Sequence, residues 1–428
     1  MNTPIINRYD QVARHYCIGT SGGRRKRADR RSLASSLYVF FAAASLIMFY
    51  YAHAEWLPVE KAFYVPCAIT LLCSFFVKRK WDKIDRILTV FVIFVALSDV
   101  LTGIYPKGIS SPLVRISLGI FCFNKIRKVD LYGAITVIAK LSPIIMVTYY
   151  VFANPLTYVS WVRYGGFSGD PNYLAISLEL LIVLNLIFIH RKETGMLWRV
   201  LSVASIISTL PLFLVGQSRM GLISLVVLFL FYLSFLYKNS KRNFMILAVT
   251  GGVLLVAGFG SYSYMLDGVE RRFTKHSSSR GSGGMIQNDP RMAQINATFR
   301  VFKRNPSYVF SGIGADHDPE DIQDYKQMAD NPVHNTFVGI LLQDGLFALS
   351  AFLMLLIVTF RQVVKRPDKK LYLGFYLSLL LNISSVPSAS YLTFWWSLFF
   401  LLNQKDYICN KNKNLCCGLS QNEIRSIK

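Results

Sequence analysis

Residues 171–238 read PNYLAISLELLIVLNLIFIHRKETGMLWRVLSVASIISTLPLFLVGQSRMGLISLVVLFLFYLSFLYK, and this stretch decides the architecture. It holds three apolar runs, 171–190, 198–215 and 218–237. At about 1.5 Å per residue, runs of roughly 18 to 20 residues match a hydrocarbon core about 30 Å thick. The two breaks differ in charge. The first carries Arg191 and Lys192; the second, Gly216-Gln217-Ser218, leads to a single Arg219. Basic connections that alternate with weakly charged ones mark helices threading a membrane, with the basic side in the cytoplasm.

Similar runs lie at 33–53, 60–77, 86–103, 110–124 and 131–152 before this stretch, and at 243–265, 335–360, 371–387 and 390–403 after it. The expectation is an all-α polytopic membrane protein with about twelve transmembrane helices. The short run at 110–124, and a closing pair with Pro387 between Ser384 and Ser390, leave ten or eleven as alternatives. Composition agrees: of 428 residues, 53% are apolar and 17% charged, and mean hydropathy is +0.38. That balance excludes a disordered chain and argues against an ordinary soluble enzyme.

Net charge is +23, from 47 Lys and Arg against 24 Asp and Glu. In a soluble domain this would suggest nucleic acid. Here 32 of the 47 basic residues fall in alternate connections and in the two tails. The charge is therefore mostly a topology signal, both termini are expected in the cytoplasm, and nucleic acid is not an expected partner. The layout that follows is a basic tail (1–32), helices over 33–265, one large loop on the face opposite the basic connections (266–333), helices over 334–403 and a second tail (404–428). The first tail has no apolar core of a signal peptide. The seven cysteines lie in tails or spans with neither a disulfide framework nor zinc-site spacing, and no metal or cofactor is expected.

The loop is segregated in charge. Basic residues from Arg271 to Arg304 come first, and Asp316, Asp318, Glu320, Asp321, Asp324 and Asp330 dominate the end. Residues 277–284 (SSSRGSGG) read as a flexible surface segment, whereas 291–303 has helical composition with Asp289-Pro290 as cap and first turn.

Four features gather on the loop side. Arg163 precedes Gly165-Gly166-Phe167-Ser168-Gly169-Asp170-Pro171-Asn172; Asp170 as N-cap and Pro171 in the first turn explain that element without any function. Ser218-Arg219-Met220-Gly221 opens a span, where Arg219 is either an interface anchor or a ligand-binding cation. The basic half of the loop offers Arg271, Arg272, Arg291, Arg300 and Arg304, and guanidinium suits bidentate phosphate recognition. Finally, His334-Asn335 stands at the entrance to the tenth span, where an imidazole could accept a proton near neutral pH.

Together these elements resemble the bacterial O-antigen ligase and polymerase superfamily. The likeness rests on their order over residues 160–350: Gly-Asp-Pro-Asn (169–172), Ser-Arg-x-Gly (218–221), Arg291 fourteen residues before Asn305-Pro306, Gly312-Ile313-Gly314, His334-Asn335 and Asp344-Gly345. The first 150 residues match only in hydropathy. The resemblance implies a GT-C-like, metal-independent, inverting membrane glycosyltransferase in the bacterial inner membrane. Its donor would be an oligosaccharide on undecaprenyl diphosphate, used at the periplasmic face. Carried over motif by motif, the resemblance gives Arg219 and Arg291 the diphosphate and His334 the activation of the acceptor hydroxyl. Arg163 and Arg300 are further candidates for the diphosphate, and Asp170, Asn172 and Asn335 for support. The chemistry is coherent, since guanidiniums can neutralise a departing diphosphate where a metal otherwise would.

A polymerase would extend another lipid-linked repeat unit of an O-antigen or exopolysaccharide, whereas a ligase would deliver the glycan to lipid A core. The Gly-Asp-Pro-Asn element favours the polymerase. Analogy with polymerase pathways also implies a chain-length regulator as partner. The competing class is a transporter or flippase of lipid-linked sugar, which tends to show internal repeats and paired Gly or Pro breaks near mid-membrane; no repeat is found here, and the ionisable residues gather at one membrane face. Independently of any family, Lys140 and Glu179 fall near mid-membrane, where lone charges are costly; a Lys140–Glu179 ion pair is the expectation.

Overall fold

The computed structural model describes residues 25–51, 64–77, 81–104, 111–153, 164–241 except 169 and 217, 245, 290–327, 329, and 333–408 except 406. The described residues are helical, without strands. The main helices are α1 (Arg25–Phe49), α2 (Tyr64–Phe76), α3 (Lys83–Thr102), α4 (Pro112–Phe123), α5 (Tyr132–Phe152), α6 (Pro171–Ile189), α7 (Met196–Gly216) and α8 (Arg219–Asn239). The segment before the next long helix holds α9 (Pro290–Arg304) and the single turns α10 (Tyr308–Ser311) and α11 (Gln323–Lys326). The chain then forms α12 (Thr336–Val364), α13 (Lys369–Ile383) and α14 (Leu392–Leu402). Eleven of the twelve apolar runs are thus helices, and 243–265 lies, apart from residue 245, outside the described residues. By length and composition, five described helices qualify as complete membrane crossings: α5, α6, α7, α8 and α12. At 13, 12 and 11 residues, α2, α4 and α14 are shorter than the roughly 20 that a perpendicular crossing uses.

The interior follows from sequence. A helix that is apolar on every side belongs inside a bundle, and α6 buries every residue except Tyr173 and Ile189. Helix α14 is buried along its whole length. Its Trp395 lies against Gly119 of α4, where any β-carbon would collide with the indole. Both indole N–H groups of α14 find carbonyls: Trp395 donates to Ala389 (2.7 Å) and Trp396 to Ala42 of α1 (3.2 Å).

Glu179 is fully buried on α6, but it does not pair with Lys140. Its carboxylate accepts hydrogen bonds from Ser224 of α8 and from Ser378 and Asn382 of α13, the last at 2.8 Å. Lys140 is exposed on α5, with its ammonium 4.9 Å from the centre of the Trp198 ring. The expectation of an ion pair is therefore corrected. Short hydroxyl and amide donors on the helices that pack against α6 satisfy the carboxylate, and the lysine reaches outward along an aromatic face.

Helix α12 is broken at Gly345 (φ 81°, ψ 178°). A break of this kind strips carbonyls of their partners one turn earlier. They are taken up by the segment 312–314: the Ile313 N–H donates to Leu342 and the Gly314 N–H to Gln343, both at 2.9 Å. The Ser98 hydroxyl of α3 also donates to the Gln343 carbonyl (2.6 Å). Gly312 and Gly345 both have positive φ, and a β-carbon on either would fall on backbone of the opposing segment.

At the end of the bundle with the basic connections, Asp82 and Asp85 form a capping box at α3, and the buried Arg127 pairs with both. Arg191 and Arg366 are also buried, each with its guanidinium over a tyrosine, Tyr132 (3.9 Å) and Tyr372 (3.4 Å). Part of the basic excess is thus internal structure.

Two predictions follow from the packing. Glu179→Leu removes the acceptor shared by Ser224, Ser378 and Asn382 and lowers stability by about 2 kcal/mol or more, while Lys140→Ala stays within about 0.5 kcal/mol, as read by thermal unfolding in detergent. An ion pair would make both fall together. Gly345→Ala forces a side chain into a positive-φ position and is expected to lower stability by about 2 kcal/mol or more. Gly133→Ala, whose β-carbon meets nothing within 4 Å, serves as the neutral control.

Candidate functional site

The N-termini of α6, α8 and α12 lie at one end of the bundle, tied to the 384–391 connection and to the 290–327 segment. At α6, Asp170 caps the helix by accepting the Asn172 N–H (2.7 Å), with Pro171 in the first turn. The side chain of Asn172 is buried and accepts the Ser218 hydroxyl (2.6 Å), while Ser218 caps α8 through the Gly221 N–H (3.1 Å). Gly221 lets the two helices approach, since a β-carbon there would stand 2.8 Å from that of Ala175. Thus Asp170 and Asn172 hold the first turn of α8, on which Arg219 is the first residue. Arg219 is half-buried and makes no hydrogen bond or ion pair with a described residue.

At α12, Asn335 caps the helix by accepting the N–H groups of Phe337 (2.9 Å) and Val338 (3.1 Å), and its amide donates to the Ser384 carbonyl (3.0 Å). Thr336 donates to Val386. Tyr173 of α6 reaches the same connection, donating to Pro387 (3.3 Å) and stacking on Tyr391 with centroids 4.4 Å apart. The 384–391 connection therefore joins the N-terminus of α12 to that of α6.

His334 directly precedes this cap and is half-buried. Its backbone N–H donates to Oε1 of Gln294 (3.0 Å), a buried residue of α9. Helix α9 is held in place by its own apolar face: Ala297, Val301 and Phe302 cluster with Ile313, Tyr325, Val333 and Leu342. Arg291 lies three residues before Gln294, so the two are neighbours on one face of α9. The helix face that holds the His334 backbone is thus the face that carries Arg291. Arg300 is nine residues from Arg291, which at 100° per residue puts it on the opposite face. It forms no hydrogen bond or ion pair with a described residue, and the structure does not group it with Arg291. The neighbouring Arg304 pairs with Asp324. Arg163 lies outside the described residues, as do Arg271 and Arg272.

A cavity of about 170 Å³ is lined by the residues on both sides of His334-Asn335, Val333 and Thr336, together with Ala315, Asp344, Pro387 and Ser390. The arrangement thus combines a histidine at a helix entrance, an arginine on the helix that fixes it, a second arginine at a neighbouring helix N-terminus and an adjoining hollow. Guanidiniums can bind an anionic leaving group and an imidazole can accept a hydroxyl proton. Among the described residues, no group of three or more His, Cys, Asp and Glu is placed to hold a metal ion.

Residues 203–353 match the family model described as O-antigen ligase. That segment includes Arg219, Arg291, Arg300, His334 and Asp344, and the match supports a relation to the O-antigen ligase and polymerase superfamily. No curated protein matches the chain.

Reading the sequence alone missed Gln294, whose signal was only its spacing from Arg291, and the 384–391 connection, visible as a Ser-rich break with Pro387. It also passed over Arg115 on α4, whose buried Nε has no partner among the described residues and whose charge acts on Tyr173.

The Gln294 contact is testable. Gln294→Leu removes the acceptor for the His334 N–H and frees α9 to shift. Glycan transfer, followed on gels with lipid-linked substrate, is expected to fall about tenfold or more, and Gln294→Glu, which keeps an oxygen in place, to retain most of it.

Proposed function

We propose that this protein is a polysaccharide polymerase of the bacterial cytoplasmic membrane. It transfers a growing glycan from undecaprenyl diphosphate to a hydroxyl of another lipid-linked repeat unit, without a metal and with inversion at the anomeric carbon. In this reading all twelve apolar runs cross the membrane, both tails are cytoplasmic, and the loop with its histidine works on the periplasmic side. The observation that carries the reading is the Gln294–His334 hydrogen bond, which couples the arginine-bearing face of α9 to the histidine at the entrance of α12.

The roles follow from charge. As the anomeric bond to the diphosphate breaks, negative charge builds on the leaving phosphate, and Arg219 and Arg291 stabilise it. His334 accepts the proton of the attacking hydroxyl. Arg163 supplies further positive charge to the donor path, whereas Arg300, on the opposite face of α9 from Arg291, is left out of it. Asp170, Asn172 and Asn335 keep the helix entrances in register, in keeping with the caps that Asp170 and Asn335 form and the bond that Asn172 accepts from Ser218. The Gly-Asp-Pro-Asn element at 169–172 favours a polymerase over a ligase acting on lipid A core. A chain-length regulator fits as a partner in a polymerising pathway.

Purified protein in nanodiscs, given lipid-diphosphate-linked repeat units from its own host, is expected to build a ladder of longer glycans without lipid A core. Product that forms only after core is added would make it a ligase. His334→Ala should lose about 100-fold or more of the rate, and Arg219→Ala a comparable amount, whereas Arg219→Lys should recover only a fraction because the bidentate fork is gone. A fully active His334→Ala variant would refute the assignment of the base.

A further inference from the structure

The cavity beside His334 has walls that are mostly apolar, including Pro112, Ile116, Ile340 and Pro387. Among the described residues, Asp344 is the one ionisable residue that lines it. Its side chain is 4% exposed and makes no hydrogen bond or ion pair with any described residue, and its Oδ1 is buried without a donor. Two more carboxylates stand close enough to repel its charge, Asp99 of α3 and Asp316 of the 312–318 segment. These two are held: the Asp316 N–H donates to Asp99 (3.1 Å), and the Ser111 hydroxyl donates to Asp316 (2.7 Å). Asp99 keeps one buried oxygen, Oδ2, without a donor, and Asp344 is the one of the three whose side chain accepts from no described residue.

A buried carboxylate in that condition is strongly unfavourable, and native interiors rarely keep one without a use for it. The break at Gly345 fixes it in place, because the segment that pairs with Leu342 and Gln343 holds the backbone immediately before Asp344. What the site lacks is a donor. A bound cation is one way to supply positive charge, but no described trio of metal-ligating side chains is arranged for it. A ligand with several O–H groups is the other. Apolar walls facing the C–H surfaces of a sugar ring, with one carboxylate accepting from hydroxyls, make a fitting pocket for a sugar.

We propose that this cavity is the subsite for an uncharged sugar residue of the acceptor, and that Asp344 is a specificity-determining residue accepting hydrogen bonds from its hydroxyls. The inference rests on the glycan-transfer reading above and adds the acceptor's chemistry to it. Val333 and Thr336 line the cavity on either side of His334-Asn335, so a sugar seated there presents a hydroxyl at the entrance where the imidazole stands. A sugar that carries its own carboxylate would meet three aspartates and is excluded by like charge.

The test uses the full-length protein in nanodiscs with host lipid-linked repeat units as donor at a fixed concentration. Host repeat-unit oligosaccharide released from its lipid is titrated as acceptor, or released core oligosaccharide if the protein proves to be a ligase. For Asp344→Asn, KM for the released acceptor is expected to rise about tenfold or more with kcat within about threefold of wild type. The melting temperature should hold or rise, because an unmatched buried charge has been removed. Oligosaccharides ending in a uronic acid should compete poorly against the neutral acceptor in wild type and better in Asp344→Asn. An unchanged KM in Asp344→Asn, or a fall in melting temperature together with a loss of kcat, would overturn the subsite while leaving glycan transfer intact. Wild type alone can also refute it, by accepting uronic-acid-ended and neutral-ended oligosaccharides equally well. Absence of any transfer by wild type would bring down the glycan-transfer reading and this inference with it.

Discussion

The site depends on a broken helix. Gly345 interrupts α12 two turns after its start, and the carbonyls that lose their partners would be left bare in an apolar bundle. Bare backbone carbonyls in such surroundings are costly enough that an interruption survives only where other groups supply donors. Here the donors are the N–H groups of Ile313 and Gly314 and the hydroxyl of Ser98. One requirement therefore fixes three things together: the segment that leads out of α9, the N-terminal half of α12 with His334 at its head, and the outer part of α3. Removing the break would restore an ordinary helix and take from the 312–314 segment the carbonyls to which its N–H groups donate. Glycines at 312 and 345 are the condition for this close approach, since each stands where a side chain would strike backbone.

Much of the fold was legible because hydrophobic run length and helix caps are local signals. Helix α6 was visible as an apolar run and its first turn as Asp-Pro; α9 was visible from Pro290 and the composition that follows it. What was not legible is whatever depends on contacts between distant segments. Glu179 and Lys140 sit at similar depths, and depth alone suggests an ion pair. The carboxylate is instead satisfied by residues 45, 199 and 203 positions away in sequence, on helices that only the tertiary packing brings to it. Run length misleads in the same way for α14. Its eleven residues are too few to span a bilayer alone, yet they are among the most buried in the protein, packed against neighbouring helices and shielded from lipid.

The candidate site was legible as residue types and not as roles. Asp170, Asn172 and Asn335 drew attention as polar residues at helix entrances, and the structure gives them structural partners: two are N-caps, and the third bridges to the cap of the next helix. Arg300 shares α9 with Arg291 but faces away from it, a fact contained in helical periodicity once the helix is known to be continuous. Gln294 had no motif to announce it. Its importance comes from a single long-range hydrogen bond to the backbone of His334.

Sorting the polar residues at this end of the bundle by whether they are satisfied separates scaffold from chemistry. The groups that hold helix ends together have short, well-formed partners, and substituting them acts first on stability. Arg219 and Asp344 have no described partner, although both are costly to leave idle in such surroundings, and they carry opposite charge. A lipid-diphosphate donor brings anionic oxygens, which suit a guanidinium, and a sugar acceptor brings hydroxyl donors, which suit a carboxylate. The two unmatched groups thus call for ligands of opposite hydrogen-bonding character, with His334 beside the cavity that Asp344 lines. Donor and acceptor must meet at one atom in a glycosyl transfer, so a site needs this division of labour between its cationic and anionic members. A transporter that carried a single ligand through would have no use for it.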